Sequence, residues 1–211
     1  VCVNNEGSFS VVNTPGSSYA WTITGGTILT GNGTNSITTN WSGSGSATIS
    51  VMETNSFGCV GSSVSIPVTV NALPLVDAGN DAGVCIGQSV QLNAAGGVNY
   101  TWTPSTGLNN TTINNPVATP LVNTTYTVLV IDANGCENSD SVTVTVYNLP
   151  IVTVTQNSAI CIGGTIQLNA GGGSNYQWSP TSSLNDPSSS SPVANPVSTT
   201  TYTVVVTNAG G

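Results

Sequence analysis

The feature that most constrains this chain is an internal repeat. The stretch "CIGQSVQLNAAGGVNYTWTPS", which begins at Cys85, aligns without a gap with "CIGGTIQLNAGGGSNYQWSPT", which begins at Cys161. The same offset of 76 residues relates Trp102 to Trp178. Repetition at a fixed period of this size indicates tandem units that each fold in the same way. The chain is therefore expected to form a row of small modules rather than one large domain.

A looser copy of the unit comes first. "SYAWTITGG" around Trp21 resembles "NYTWTPS", and "NSFGC" ending at Cys59 resembles "DANGC" ending at Cys136. Pro74 and Pro150 each interrupt two β-rich runs and indicate the joints. The first unit lacks the strand that precedes Cys85 in the second, and the third lacks its closing cysteine and last strand, so we expect a section of a longer protein. The predicted modules are residues 1–72 (a PKD-like variant), 73–149 (complete) and 150–211.

Within a module the pattern is all β. "SVQLNA" (89–94), "TTYTVLVID" and "SVTVTV" alternate apolar and polar residues with period two, and no helical period persists. Short strands joined by turn-rich segments, with one inward Trp on an early strand, predict immunoglobulin-like β-sandwiches in a tandem array. We expect five aromatic residues to fill the cores: Trp21, Trp102, Trp178, Tyr126 and Tyr202. Trp41, in the Gly/Ser-rich "NWSGSGS", is predicted to be exposed and is the candidate binding residue.

The charge balance excludes several partners. The chain has 211 residues with no Lys, Arg or His, eight acidic residues and a net charge of −8. Without cations it cannot neutralise a phosphate backbone, so nucleic-acid binding is excluded. An anionic membrane surface would repel it, and no run approaches the roughly 18 apolar residues that span a bilayer. Neither nucleic acid nor membrane insertion is therefore expected.

No catalytic residues are predicted. General acid–base and nucleophilic catalysis usually need His, Lys or an activated carboxylate, and only carboxylates are present. The repeat also loses them, since Asp77 is replaced by Thr153 and Asp132 by Asn208 in the third module. The same acids offer hard oxygen ligands for Ca²⁺ in "DAGND" and "DANGCENSD", but neither stretch matches a full calcium loop. Solvated turn acids are the favoured interpretation, with no cofactor; the calcium candidates are Asp77, Asp81, Asp132 and Asp140.

Five cysteines in a chain without His favour disulfides and an oxidising, extracytoplasmic location. Two pairings remain open. Pairing within modules gives Cys2–Cys59 and Cys85–Cys136. In an immunoglobulin-like topology, however, these partners would lie a strand length apart, about 17–20 Å, whereas a disulfide needs Cα atoms within about 7 Å.

Pairing between modules is favoured. If the modules stack end to end, the loop between the first two strands of one meets the loop between the last two strands of the next, which brings Cys2 to Cys136. Cys85 would then pair with a residue just after Gly211, Cys59 would point to a preceding module and Cys161 to a following one. In that case Cys59, Cys85 and Cys161 have no partner within these residues.

The pattern "VDAGNDAGVCIGQSVQLNAAGG…YTWTP…TTYTVLVIDANGC…DSVTVTV" resembles the Ig-like and PKD-like repeats of very large surface proteins of Bacteroidota. Those proteins leave the cell by the type 9 secretion system and include gliding-motility adhesins. "FSVVNTPGSSYAWTITGGTI…SITTNW" is similar to their PKD-like variant. The resemblance implies an extracellular, cell-surface stalk and supplies no catalytic residues. It also makes Ser141, in "DSV", a candidate for O-glycosylation.

The predicted function is a non-enzymatic structural segment of an extracellular adhesin or surface filament. Its partners would be neighbouring modules of the same long chain and further copies in a fibre. The alternative is a carbohydrate- or surface-binding module that acts through Trp41 and the loops near it.

Overall fold

The computed structural model describes residues 1–208, which contain eighteen β-strands and no helix. Their strand pairings fall into three groups, and each named sheet is confined to one group. The chain is therefore all β, and it is organised as tandem immunoglobulin-like sandwiches in which each group occupies one repeat of the sequence.

The first group forms two three-stranded sheets, with orders β1-β4-β3 and β2-β5-β6. Its strands are β1 (Glu6–Ser10), β2 (Ser18–Thr24), β3 (Gly26–Thr30), β4 (Ser36–Trp41), β5 (Gly45–Thr54) and β6 (Val64–Val70). The alternation of β-strands turns every second side chain inward, so Trp21 on β2, Ile37 on β4 and Ile49 on β5 meet in one core between the sheets.

The second group contains a four-stranded sheet of order β7-β12-β11-β9 and a two-stranded sheet of β8 and β10. Its strands are β7 (Ala82–Cys85), β8 (Val90–Gln91), β9 (Asn99–Thr103), β10 (Val117–Ala118), β11 (Thr124–Ile131) and β12 (Glu137–Tyr147). β12 is central: it pairs antiparallel with β11 and parallel with β7. Val142 and Val144 of β12 are fully buried against Val128 and Val130 of β11, which makes this strand the centre of the core.

The third group is formed by three two-stranded pairings: β13 with β15, β14 with β17, and β16 with β18. Its strands are β13 (Thr153–Val154), β14 (Ile166–Gln167), β15 (Ala170–Gly171), β16 (Asn175–Ser179), β17 (Val193–Ala194) and β18 (Thr203–Thr207). β16 and β18 correspond to β9 and β11 of the second group. Tyr202 is half-buried here, whereas its counterpart Tyr126 is fully buried, so the expectation that Tyr202 fills a core is only partly met.

The segment "SVQLNA" forms a shorter strand than its alternation predicts. Only Val90–Gln91 pair as β8. The amides of Leu92 and Ala94 donate instead to the carbonyls of Pro116 and Asn114 in a loop, at 2.9 and 2.7 Å. The side chains still alternate, because Leu92 and Ala94 are both buried. The predicted alternation of buried and exposed side chains is therefore confirmed, whereas the paired strand is shorter than predicted.

One tryptophan per group anchors its strand to a loop that comes later in the chain. Trp102 donates its indole N–H to the carbonyl of Ile113 at 2.9 Å, and Trp178 donates to Ser189 at 3.0 Å. In the first group Trp21 donates to Thr34 at 2.8 Å. A buried indole N–H without an acceptor is costly, and the recurrence of this bond shows that the three groups share one design.

Trp41 is buried, so the prediction that it is exposed and binds a ligand is wrong. Its exposed fraction is 0 %, and its ring meets Phe9 edge to face with centroids 6.1 Å apart. Trp41 is the last residue of β4, and the period of two places it on the same inward face as Ile37 and Thr39. The Gly/Ser-rich stretch that suggested exposure begins one residue later, outside the strand.

We expect the two tryptophans Trp41 and Trp102 to respond differently to replacement by Phe. Among the described residues the indole N–H of Trp41 has no hydrogen-bond partner, so Trp41→Phe removes an unpaired buried group. This offsets part of the lost packing, and the cost should be about 1 kcal/mol. Trp102→Phe leaves the Ile113 carbonyl unpaired and should cost roughly 3 kcal/mol. Chemical unfolding followed by module-resolved hydrogen exchange measures both; equal costs would contradict this account.

Candidate functional site

The site with the most distinctive chemistry is a disulfide between the first and second groups. Cys2 and Cys136 are joined with an S–S distance of 2.00 Å and a Cα–Cα distance of 5.6 Å. Both residues are buried, at 4 % and 1 % exposure. The bond links positions separated by 134 residues, one at the start of the first group and one in the turn before β12. It therefore clamps the joint between two sandwiches rather than stapling one of them.

The turn that presents Cys136 is organised by Asp132. Its Oδ1 accepts the backbone N–H groups of Asn134 at 2.8 Å and Cys136 at 2.9 Å, while the Asp132 N–H donates to the Cys136 carbonyl at 2.9 Å. Gly135 takes a positive φ of 80° within this turn, which Gly adopts readily. A short polar side chain followed by Gly therefore closes the loop between β11 and β12 and points the cysteine outward from the sandwich end.

Cys2 is fixed at the end of the first group from which the chain passes into the second. It forms an isolated parallel bridge with Asn71, just beyond the end of β6. The Val3 N–H donates to the Asn71 carbonyl at 3.0 Å, and the Asn71 N–H donates to the Val1 carbonyl at 2.8 Å. Cys2 therefore lies where the chain leaves the first sandwich for the second, facing the turn that holds Cys136.

The remaining cysteines occupy repeated positions. Cys59 lies in a turn like that of Cys136, in which Asn55 Oδ1 accepts the backbone N–H groups of Phe57 and Cys59 at 3.0 and 2.9 Å. Cys59 and Cys161 are exposed free thiols. Cys85 is half-buried at the end of β7. The predicted partner of Cys85, just after Gly211, lies outside the described residues.

The strand register explains why Cys85 cannot reach Cys136. Cys85 lies opposite Tyr147, the last residue of β12, whereas Cys136 comes directly before Glu137, the first residue of the same strand. At about 3.3 Å per residue the two cysteines are roughly 35 Å apart. This is twice the separation expected from the sequence, because β12 is a long strand of 11 residues.

The acidic residues serve as acceptors for backbone N–H groups. Asp140 Oδ2 accepts the Ala78 N–H at 2.9 Å, Asp81 Oδ1 accepts the Thr143 N–H at 2.8 Å, and Asp77 Oδ1 accepts the Gly79 N–H at 2.8 Å. Within residues 1–208 no three metal-ligating side chains come together. Sequence reasoning treated Asp81 and Asp140 as turn acids and missed that they tie residues 78–81 to β12. Nothing in the sequence around either residue signals a contact with a segment 62 residues away.

Folding lowers the pKa of several carboxyl groups. For Asp132 the main cause is the hydrogen bond from the Cys136 N–H, and for Asp140 it is the one from the Ala78 N–H. The pKa of Asp186 is lowered chiefly by the Ser188 hydroxyl, which donates to Asp186 Oδ1 at 2.6 Å. In each case the folded protein favours the ionised carboxylate more than the unfolded chain does.

We expect stability to be constant at neutral pH and to fall in acid. Because these folded pKa values are lowered, the stabilisation is complete above the unfolded values near 4 and is lost as pH falls through the folded values. No His titrates in between. Asp132→Asn should weaken the acid dependence with little loss at pH 7, because Asn55 builds the same turn in the first group. Thermal unfolding midpoints measured from about pH 2 to pH 7 test this; a slope between about pH 5 and pH 7 would contradict it.

Ser141, the candidate glycosylation site, is exposed on β12 opposite Thr127 of β11. Its hydroxyl faces away from the core that receives Val142, so a glycan on it would project from the outer side of the sheet. Residues 1–208 include no helix whose length and apolar character would let it cross a bilayer.

Comparison with known proteins places a family match on the first group. A family model described as a PKD-like domain matches residues 1–70. None of the curated proteins matches the chain. Among solved structures, extracellular domains 3–5 of Drosophila OTK are 8 % identical over 100 % of this chain and 89 % of that one, with a TM-score of 0.43.

Two further solved structures are similar. The three N-terminal domains of the highly immunogenic outer capsid protein of bacteriophage RB49 are 14 % identical, over 93 % of this chain and 83 % of that one, with a TM-score of 0.44. The N-terminal eight Ig domains of Down Syndrome Cell Adhesion Molecule are 12 % identical, over 98 % of this chain and 37 % of that one, with a TM-score of 0.41. The match to the PKD-like family covers the two sheets of the first group.

Proposed function

We propose that this chain is a non-enzymatic structural segment of an extracellular adhesin or surface filament. Its modules, at residues 1–72, 73–149 and 150–211, stack end to end, and disulfides between modules stiffen the joints. The Cys2–Cys136 bond carries the proposal, because it joins the first module covalently to the second, as a stiff stalk requires. The bond also requires an oxidising location, which supports an extracellular setting.

The origin we propose is a surface protein of Bacteroidota exported by the type 9 secretion system. The PKD-like match of residues 1–70 and the repeat pattern support this assignment. In such a protein the exposed Cys59 would bond to a preceding module and the exposed Cys161 to a following one. No catalytic role is proposed, since Asp81, Asp132 and Asp140 already accept backbone N–H groups.

A non-reducing peptide map tests the covalent part of the proposal. Trypsin has no Lys or Arg to cut, so chymotrypsin is the suitable protease. Cleavage after aromatic residues should leave peptide 1–9 attached to a peptide from within 127–147, and reduction should separate them. Links between peptides carrying Cys2 and Cys59 would instead mean self-contained modules on flexible joints and would overturn the clamped stalk.

The stiffness of the joint needs a second measurement. Residual dipolar couplings report whether two modules share one orientation in solution. We expect the first and second modules of the oxidised chain to fit a single alignment tensor and those of Cys2→Ser/Cys136→Ser to require two. Cys59→Ser is the matched control, since Cys59 is an exposed free thiol, and it should behave like the unmodified chain. Separate tensors in the oxidised chain would refute a rigid stalk.

A further inference from the structure

A groove lies on the outer face of the third group, between β16, β18 and the loop 181–188. Its volume is about 350 Å³, within the range of about 300–1,000 Å³ that is usual for ligand pockets. Asn175 and Gln177 of β16 line one side, and Thr207 and Val205 lie directly opposite them on β18. These side chains alternate with those that face the core, so the groove opens to solvent.

The second group shows which side chains open the groove. Three lining residues differ from their counterparts 76 residues earlier: Gln177 replaces Thr101, Val205 replaces Leu129 and Thr207 replaces Ile131. Two apolar side chains have therefore become smaller, and one hydroxyl has become a longer amide. In the second group Leu129 pairs with β9 on one side and with β12 on the other, and it is still 37 % exposed. A strand beside β11 therefore leaves this outer face uncovered.

The loop that forms the other wall is held in place by β16. The Trp178 N–H donates to the Pro187 carbonyl at 2.9 Å, and the Trp178 indole N–H donates to the Ser189 carbonyl at 3.0 Å. Asp186 Oδ1 accepts both the N–H and the hydroxyl of Ser188, at 2.9 and 2.6 Å. Because the Ser188 hydroxyl donates to Asp186, its oxygen remains as an acceptor for a ligand in the groove. The groove is therefore formed before any ligand arrives.

The lining selects for an uncharged ligand. No charged side chain lines the groove, and the whole chain has no Lys, Arg or His. An anionic ligand would meet a net charge of −8 without a single cation, and a cationic ligand would meet no carboxylate in the groove. The groove offers instead the amides of Asn175 and Gln177, which both donate and accept, the hydroxyls of Ser188 and Thr207, and the apolar side chain of Val205.

We propose that the groove binds a neutral saccharide chain. Sugar hydroxyls donate and accept like the amides of Asn175 and Gln177, and the C–H faces of sugar rings suit Val205 and Pro187. A peptide strand fits less well, because strand addition needs unpaired backbone groups at a sheet edge, and Pro187 already accepts the Trp178 N–H at the edge of β16. The site does not depend on the stalk, since it concerns only the third sandwich.

Titration of the isotope-labelled 211-residue chain with neutral hexasaccharides of glucose, mannose and galactose tests the proposal by NMR. The side-chain amide signals of Asn175 and Gln177 should shift with at least one of them, together with the backbone signals of 187–188. An open groove should bind weakly, with a Kd of about 1 mM. The hexamer of galacturonic acid carries a carboxylate on each ring and should shift none of these signals, because the chain has no cation to pair with it.

The variants separate the groove from the rest of the surface. Gln177→Thr should raise the Kd about 10-fold, because an amide hydrogen bond is lost. Gln177→Thr/Val205→Leu/Thr207→Ile gives the groove the residues with which the second group folds, and it should abolish binding. Gln167→Thr is the matched control, since Gln167 is exposed on β14 outside the groove, and it should leave the Kd unchanged. Equal binding of the galacturonic acid hexamer, equal weakening by Gln167→Thr, or no shift with any neutral hexamer would overturn the proposal.

Discussion

Stretching the oxidised chain from its two ends should release only about 250 Å of length, from the residues that follow Cys136. The disulfide joins Cys2 to Cys136, so the 134 residues it spans lie in a closed covalent loop outside the path of the force. Reduction opens the loop and should add roughly 450 Å, at about 3.4 Å per residue. Single-molecule pulling with and without a thiol reductant measures the difference.

Two variants separate this bond from the other cysteines. Cys2→Ser/Cys136→Ser should show the long extension without any reductant. Cys59→Ser should keep the short extension until reductant is added, because Cys59 is an exposed free thiol. An oxidised chain that extends as far as the reduced one would show that the first two sandwiches are not joined in this way.

Gly96→Ala should destabilise the second sandwich by about 3–5 kcal/mol, among the larger effects of a point mutation. Gly96 has φ +117°, and a Cβ there would lie 2.3 Å from the carbonyl oxygen of Leu75 in the joint that precedes the sandwich. A backbone atom cannot move aside without displacing the joint. Gly172, its counterpart, has φ +107° and a matching contact of 2.1 Å with the Ile151 carbonyl oxygen.

Gly135→Ala is the matched control. Gly135 also has a positive φ, +80°, but a Cβ there would meet no atom within 4 Å. The left-handed conformation alone costs an L-residue about 1–2 kcal/mol, so this variant should lose no more than that. Denaturant unfolding of both variants, with hydrogen exchange to locate the affected sandwich, gives the comparison. Equal losses would mean that the close approach to Leu75 contributes nothing.

The sequence predicted the fold class well because the repeat shows the same alternation several times. The inward Trp102 and the long strands around "TTYTVLVID" and "SVTVTV" follow from side-chain period alone. The exposure of Trp41 was predicted wrongly because the prediction relied on the Gly/Ser-rich residues that follow it. Its position at the end of an alternating strand indicates burial instead. Local composition describes the neighbours of a residue in sequence, whereas burial depends on the opposite sheet.

The cysteines show a different limit. Spacing alone left two pairings open, because the distance between Cys85 and Cys136 depends on strand direction and on the length of β12. The contacts of Asp81 and Asp140 with distant backbone groups could not be predicted either, because each contact joins residues that lie 62 positions apart in the sequence. Sequence periodicity indicates which side chains face inward, but it does not give the partner of a group across the fold.

The position of Cys2 imposes an order on biosynthesis. Cys59 is made long before Cys136, and closing the shorter loop is favoured by less than about 1 kcal/mol of chain entropy. Folding of the first sandwich prevents a Cys2–Cys59 bond. Cys2 then lies beside Asn71, near the start of β5, whereas Cys59 comes after the end of β5. The first sandwich must therefore fold while its thiols are still reduced. Oxidation that arrives before the first sandwich has folded would trap the Cys2–Cys59 bond, so disulfide formation has to follow the folding of that sandwich.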